Sequence, residues 1–389
     1  MISVTSGPIL FLALSLFVTI SMAGAQVPSE VRELRAAISN LGDFDHDVRV
    51  EAARFVRRAE AAAAVPILLE AARRHEDNYV RYRVAVLSYG FRGAQIDLFF
   101  REALDVSNDR IRAVAYDYAE HSPDGTLVPR LLAALDGEKS EFVRPALFRA
   151  LAAHDEDAEV QEKLLVHLDH EEDVFRSALI EALGDYRADY AVEHLISIAA
   201  SDGPLRDDAL IALGKIGRMS ALPVISAAQG EVADGLQPVV SAAACMLGID
   251  CENQEQYIIQ SLRVGATSRN RDGFRSATRA AVALAMVGRL GAAEVLFEVG
   301  MGAAESVRAP VALALGTIAL RRPDIMQMMF EKADRLEEAL LLLRDAFDML
   351  NEDSAEERFY MYLRNEYYTS SEGTPTRTVA GLVARILEF

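Results

Sequence analysis

The sequence predicts an all-α protein: an α-solenoid of about eleven two-helix repeats, expected to wind into a right-handed superhelix. Three observations predict this class. The chain of 389 residues is 51% hydrophobic, lacks Trp and is rich in Ala, Leu, Arg and Glu, which favour helices. A short motif recurs at a nearly constant interval. No segment of the sequence shows the alternating apolar and polar pattern of a strand.

The first 25 residues are predicted to be a signal peptide. The apolar run of residues 9–20 is too short for a comfortable membrane span and leads to Ala23-Gly24-Ala25, an A-x-A cleavage site. No Lys or Arg precedes the run, so a retained anchor is the alternative. We therefore expect residues 26–389 to be exported to the periplasm or the extracellular space, without membrane insertion after cleavage.

Residues 26–389 carry a repeated apolar–Arg pair, followed three or four residues later by Ala, Val or Leu. The first six of these arginines are 32, 31, 32, 32 and 30 residues apart, and the pattern loosens within residues 236–290. We interpret the arginines as structural, because a cation at the same place in successive units most simply bonds to carbonyls or acids of the neighbouring turn. They are Arg49, Arg81, Arg112, Arg144, Arg176, Arg206, Arg308, Arg344 and Arg377.

Each unit divides into two predicted helices. Prolines are tolerated in the first turn of a helix, and we place Pro66, Pro129 and Pro223 at the start of first helices. Before the second helix, an Asp or Asn three residues ahead of the repeated Arg is suited to capping it. The predicted caps are Asn78, Asp109 and Asp173.

The second helices end in Leu-Gly, and "ALGKIG" at residues 212–217 raises the question of a phosphate-binding loop. Such a loop needs G-x-x-x-x-G-K-[ST] between a strand and a helix. Here Gly214 ends a predicted helix, no strand precedes it, and other units have the Gly without Lys215. We predict a structural joint, in which Gly caps a helix or allows the next helix to approach closely.

The motif [V/I/L]-R-x-x-A-x-x-A-L-G, on a period of about 31 residues, resembles HEAT repeats of the short type named after phycobilisome-lyase subunits. The resemblance covers nearly all of residues 26–389 and implies paired antiparallel helices whose second helices line the concave face. One enzyme class within this resemblance binds a di-iron centre through His-Glu pairs directly after the repeated Arg. The corresponding pairs here, such as Val50-Glu51 and Asp207-Asp208, contain no His. No metal centre and no cofactor are therefore predicted.

The final unit, residues 354–389, is predicted to be a C-terminal capping repeat. Ser354 and Glu357 fit a capping box at the start of its first helix. Its last helix, "RTVAGLVARILEF", concentrates apolar residues on one side, as a terminal cap with one solvated face requires.

The only two cysteines, Cys245 and Cys251, lie six residues apart across Gly248. A straight helix would hold them about 9 Å apart, which is too far for a disulfide, so pairing requires a turn at Gly248. An exported protein permits a disulfide, and two buried thiols are the equal alternative.

The formal charge of −19 argues against nucleic acids and anionic membrane surfaces as partners. Residues 257–293 are an exception, with six arginines and a single acid, Asp272. The same segment contains "VGATSRNRDG", which we predict to be an enlarged loop, a common place for recognition on a regular scaffold. Contact with an acidic partner and a solvated insertion are the two interpretations. The candidate partner-binding residues are Arg263, Arg269, Arg271, Arg275 and Arg279.

A second candidate interface lies in "RFYMYLRNEYY", residues 358–368. Phe359, Leu363 and Tyr367 share one helical face and are predicted to be core. The other tyrosines cannot all lie on that face; they are Tyr360, Tyr362 and Tyr368. Exposed Tyr is common at interfaces, which makes these residues a candidate contact. Half-buried packing is the alternative.

The sequence predicts no catalytic residues and no metal ligands. His167 and His170, with Asp173 nearby, lack the third or fourth fixed ligand of a zinc site. No G-x-S-x-G, metalloprotease helix motif or Cys with a plausible base occurs.

These observations favour an exported, non-enzymatic scaffold or adaptor that binds a protein or peptide along a solenoid surface. Two alternatives remain. One is a lyase or isomerase acting on a pigment or small cofactor, as in the subfamily that gives the repeat its name. The other is a purely structural component of the cell envelope.

Overall fold

The computed structural model describes residues 29–170, 172–231, 237–350 and 353–389, without the side chains of residues 170 and 231. Over these residues it consists of 22 α-helices joined by short turns, with no strand. The predicted all-α class and the α-solenoid are confirmed. Within the same residues, no helix has the length and hydropathy that a membrane span requires. The predicted signal peptide lies outside the described residues.

The helices follow one another as eleven pairs. The first helices are α1 (Ser29–Asn40), α3 (Ala61–Arg74), α5 (Ala94–Ala103), α7 (Val128–Gly137), α9 (Ala158–His170), α11 (Val192–Ala200), α13 (Leu222–Glu231), α15 (Cys251–Thr267), α17 (Leu290–Gly302), α19 (Pro323–Lys332) and α21 (Asp353–Thr369). The second helices are α2 (His46–Arg58), α4 (Asn78–Ser88), α6 (Asp109–His121), α8 (Arg144–Ala152), α10 (Asp173–Asp185), α12 (Arg206–Ile216), α14 (Gln237–Met246), α16 (Arg271–Val287), α18 (Glu305–Arg321), α20 (Leu336–Leu350) and α22 (Pro375–Ile386).

The two helices of a pair pack side by side, and the short turn between them makes them antiparallel. From unit to unit, second helices pack on second helices more extensively than first helices pack on first helices. Small buried residues such as Ala243 and Ala277 allow this close approach. The stack therefore curves with its second helices on the concave side.

The curvature brings the last unit back to the beginning of the chain. Helix α21 packs against α18 and also against α4, which belongs to the second unit. In this last unit the second helix, α22, packs on the first helix of the preceding unit, α19. The order of the two helices is therefore reversed, and the first helix, α21, faces the concave side. We call the stack with α21 against the N-terminal units the closed ring.

One of the three proline-based predictions of helix starts is wrong. Pro66 lies inside α3 rather than in its first turn, because the alanines of residues 61–64 extend the helix ahead of it. Pro129 is in the first turn of α7 as expected.

The predicted caps are also displaced. The N-caps of α4 and α6 are Asp77 and Asn108, one residue before the predicted ones, and both have extended backbones and accept bonds from backbone N–H groups of the first turn. For α10 the N-cap is Glu172, whose side chain makes no capping bond. The predicted caps are the first helical residues instead.

Candidate functional site

Helix α21 closes the concave face, and its most buried contact is an ion pair between Arg57 of α2 and Glu357. Arg57 Nε lies 3.0 Å from Glu357 Oε1, and the two side chains are 9% and 1% exposed. The Arg57 guanidinium also lies over the rings of Tyr360 and Phe389, 5.6 and 5.3 Å from their centroids. The predicted capping box is therefore wrong: Ser354 is inside α21, and Glu357 bonds a residue 300 positions away.

Two further contacts join α21 to α4 and α6. Asp353 accepts from Arg83 Nη1 at 2.8 Å and from the hydroxyl of Tyr82. Further along α21, Arg358 Nη1 donates to Asp117 Oδ2 of α6 at 2.6 Å. One helix of the last unit thus bonds to second helices of the first three units.

Glu356 lies within this contact and is half-buried. Burial raises its pKa, and the neighbouring carboxylates of Asp353 and Glu357 raise it further; Arg83 and Arg57 lower it by less, so that the pKa is about 8. At neutral pH the closing contact therefore contains one carboxyl group that stays largely protonated.

A second set of contacts crosses the ring between α18 and α10. Arg321 of α18 pairs with Glu181 and lies 3.7 Å from Asp185 Oδ1. Asp185 also accepts from Lys215 at 2.6 Å and from Arg149 at 2.9 Å. Burial alone would raise the pKa of Asp185, but these cations more than offset burial and hold the pKa at about 2. Lys215 of "ALGKIG" therefore has a structural partner.

A cavity of about 1120 Å³ lies between these helices. On its wall, Glu120 of α6 accepts from Arg149 Nε at 3.0 Å and from the Tyr186 hydroxyl at 2.9 Å. Asp117, Glu120 and His121 present possible metal-ligand atoms within 4.8 Å of one another. The carboxylates of Asp117 and Glu120 are already bonded to arginines, so this wall is a packing surface with balanced charges. The sequence does not indicate this cluster, because the bonding partners of its residues come from other units.

Eight of the nine repeated arginines lie in the first four residues of second helices, and most of them bond to the preceding turn, whereas Arg344 lies in the middle of α20. Arg81 Nε donates to Ala72 O at 3.0 Å and Arg176 Nε to Leu168 O at 2.7 Å, which satisfies carbonyls at the ends of first helices. Similar backbone bonds or ion pairs are made by Arg49, Arg112, Arg144, Arg206, Arg308 and Arg377. Among the described residues, no such bond of the Arg344 side chain occurs.

The arginine-rich segment is helical where a loop was predicted. Helix α15 continues to Thr267 and α16 begins at Arg271, so the loop prediction for "VGATSRNRDG" is wrong and only residues 268–270 form a turn. The glycines serve close packing: a Cβ at Gly265 would lie 2.7 Å from the carbonyl oxygen of Gly273. The stretched repeat interval comes from two long helices.

The candidate arginines of this segment divide into two groups. Arg263 pairs with Glu298 at 2.8 Å. Arg269, Arg271 and Arg275 are exposed, and in the part of the chain that the structure describes their side chains form no ion pair or hydrogen bond.

Arg271, Arg275 and Arg279 are four residues apart on α16 and share one face, which we call the α16 arginine stripe. At its inner end, half-buried Arg279 lines a cavity of about 270 Å³ together with Asp207 and Asp208. Burial raises the pKa of both aspartates. The stripe therefore runs from the concave interior outward to the start of α16.

The tyrosines of α21 have different surroundings. Tyr360 and Tyr362 are half-buried, whereas Tyr368 is 71% exposed. Phe359 and Leu363 are buried as predicted. Tyr367 is 36% exposed, so its prediction as core is wrong; it lies beneath the Arg377 guanidinium instead, 4.8 Å away.

The structure joins Cys245 and Cys251 as a disulfide, with Cα atoms 4.0 Å apart. The turn is made by Gly248 at φ 81°, between α14 and α15. Of the histidine pair considered as a metal site, the His167 ring lies 6.1 Å from the Phe148 ring, and the His170 side chain is outside the described residues.

The chain matches no protein-family model and no curated protein. Similar solved structures include human deoxyhypusine hydroxylase in complex with glycerol, 15% identical, covering 74% of this chain and 96% of that one at a TM-score of 0.29. The complex of CpcE and CpcF of phycocyanin lyase from Nostoc is 18% identical, with coverages of 82% and 100% and a TM-score of 0.25. A homology model of the AP-3 complex is 12% identical, with coverages of 92% and 76% and a TM-score of 0.38. At these values the similarity identifies neither a family nor an activity.

Proposed function

We propose that the protein is an exported, non-enzymatic scaffold that binds an acidic segment of a protein partner along the α16 arginine stripe. One observation carries the proposal. Arg271 and Arg275, with Arg269 in the preceding turn, are exposed and without a side-chain partner among the described residues, in a chain that contains 59 acidic residues.

Such a group of unpaired cations is costly for the isolated protein. Like charges four residues apart on a helix destabilise it by about 0.2–0.5 kcal/mol per pair. An acidic partner would remove that repulsion and would also be steered toward a local positive surface on a chain of −19.

The arrangement of the remaining charges supports a contact at the outer end of the stripe. Deeper in the ring, Asp117, Glu120 and Asp185 are bonded to cations of the same chain, so the charges of these three acids are balanced. Those carboxylates serve as structural partners, which supports a binding role over a catalytic one.

The test is a pull-down from envelope and secreted fractions, with retained proteins identified by mass spectrometry. The bait is the full chain after removal of residues 1–25, beside a variant carrying Arg269→Ala, Arg271→Ala and Arg275→Ala. We expect a protein that the wild type retains, less firmly at higher salt, and that the variant binds at least about tenfold more weakly.

A matched control removes three other exposed arginines without a side-chain partner among the described residues, Arg32, Arg58 and Arg74. Equal loss of binding in this control would show a general charge effect and contradict the proposed contact. A chromophore retained by the purified protein would favour the lyase alternative. Export is tested separately by N-terminal sequencing of the protein from culture fractions; a chain that starts at Gln26 supports it, and an intact Met1 start contradicts cleavage.

A further inference from the structure

A cleft of about 1090 Å³ lies where the closed ring meets itself, between the end of α4, α6 and α21. We call it the seam cleft. Its walls come from residues near positions 90 and 120 on one side and 358–368 on the other, so the cleft exists because α21 packs against the N-terminal units. Its volume is close to the upper end of the range for small-molecule sites, about 1,000 Å³.

The N-terminal wall is aromatic and firmly packed. The Tyr118 ring stacks on Phe100 with centroids 4.2 Å apart, and Tyr89 meets Tyr118 edge-to-face at 5.3 Å. The Tyr118 hydroxyl donates to Asp97 at 2.5 Å. This wall is formed in advance of any ligand, so binding would not require its rings to be ordered.

The opposite wall offers further flat and polar groups. It is lined by three residues of α21: half-buried Met361 and Tyr362, and exposed Tyr368. Both walls therefore offer flat aromatic surfaces, and the Tyr368 side chain is 71% exposed. Such surfaces fit a ligand with a planar body that stacks on tyrosine rings.

The charged side chains that line the cleft favour a negatively charged ligand. Three arginines and a single acid, Asp97, line it. Arg358 is neutralised by Asp117. Arg92 on one wall and Arg364 on the other are exposed, and no ion pair of either occurs in the described ranges. Two unpaired guanidinium groups facing a Tyr-lined cleft favour an anion, because guanidinium bonds carboxylates and sulfonates with two parallel hydrogen bonds.

We propose that the seam cleft binds a small organic anion with a flat aromatic body. The anionic group contacts Arg92 and Arg364, and the body lies against the tyrosines of the two walls. This site is separate from the α16 arginine stripe and does not depend on the partner proposed there. Because both walls belong to the closed ring, binding also stabilises closure.

The experiment uses the full chain after residue 25 and a matched pair of probes, 1-pyrenebutyrate and the uncharged 1-pyrenebutanol, titrated by fluorescence at two salt concentrations. We expect one pyrenebutyrate per chain, bound more tightly at low salt and more tightly than the alcohol. The variant Arg92→Ala with Arg364→Ala is expected to bind pyrenebutyrate about tenfold more weakly and to bind the alcohol unchanged.

Two further variants decide the location. Arg32→Ala with Arg74→Ala makes the same change of net charge away from the cleft and is expected to leave both affinities unchanged. Tyr368→Ala removes an exposed ring and is expected to weaken both probes equally. The proposal is overturned if the wild type binds neither probe, if the alcohol binds as well as the anion, if the remote arginine pair matters as much, or if Tyr368→Ala changes nothing.

Discussion

Glycine has two different roles within six residues of "ALGKIG". Gly217 ends α12 with φ 80°, a left-handed conformation that other residues adopt only with strain. Gly214 lies inside α12, where a Cβ would be 2.8 Å from the Cα of Ala243 in the next second helix. The second role sets how closely α12 and α14 approach, and through that distance the curvature of the stack.

Gly214→Ala is expected to destabilise the protein by about 1–3 kcal/mol, because the added methyl group must push two packed helices apart. Thermal unfolding followed by circular dichroism measures this change. The control is Gly203→Ala, at a turn position where an added Cβ meets nothing within 4 Å. A variant at 214 that melts with the control would contradict the close-approach role.

Local sequence patterns predict structure only over single turns of a helix. Leu-Gly recurs from unit to unit and predicts a joint at Gly214; the close approach of the next helix confirms the joint, but the predicted helix end is wrong because α12 continues to Ile216. At Gly265 the same residue type gives a wrong prediction: two glycines without a periodic pattern predict a loop, but Gly265 allows the facing helix to approach closely. The close approach of two helices depends on both of them, so it cannot be predicted from the sequence of one helix alone.

At the scale of one element, α16 carries a repulsion that a single substitution can relieve. Arg275→Glu places a carboxylate four residues from both Arg271 and Arg279, which favours two ion pairs of about 0.3–0.5 kcal/mol each. We expect the melting temperature to stay equal or rise slightly while partner binding is lost in the pull-down. Loss of both stability and binding would show that the stripe is structural.

Helix α21 carries a pH dependence through Glu356. The pKa of about 8 in the closed ring lies above the ordinary 4.5, so the closed ring holds a proton that the unfolded chain releases between these values. The stability from this group is full below about pH 4.5 and is lost as pH rises through 8. Glu356→Gln is therefore expected to remove this decline and to melt higher than the wild type at pH 9.

Thermal melts between pH 6 and 9 test the dependence, a range in which Asp185, with its pKa of about 2, does not titrate. Glu30→Gln, at an exposed position in α1, is the control and is expected to follow the wild type. Parallel curves for the wild type and Glu356→Gln would mean that Glu356 is ionised in the closed ring, contrary to its surroundings.

On the whole-molecule scale, the helix pairs were predictable and the closed ring was not. The pairs follow from a period that is visible in consecutive units, and each unit contacts mainly its neighbours. Closure depends on Asp353, Glu357 and Arg358 meeting Arg83, Arg57 and Asp117, pairs separated by more than 200 residues. In the sequence these acids are typical of an ordinary helix start, so the sequence predicts a capping box for Glu357.

The closing ion pair can be tested by exchanging its charges. Arg57→Glu and Glu357→Arg each leave two like charges in a buried contact, which is expected to cost about 3–5 kcal/mol and to release α21 from α2. X-ray scattering should then report a larger radius of gyration with the helix content by circular dichroism retained, because the pairwise packing of the other units does not involve this contact. The double exchange restores opposite charges and should recover much of the compact radius. If each single exchange leaves the radius unchanged, the ring is held by the apolar packing of α21 on α4 and α18, and Arg57 and Glu357 set only the register of that packing.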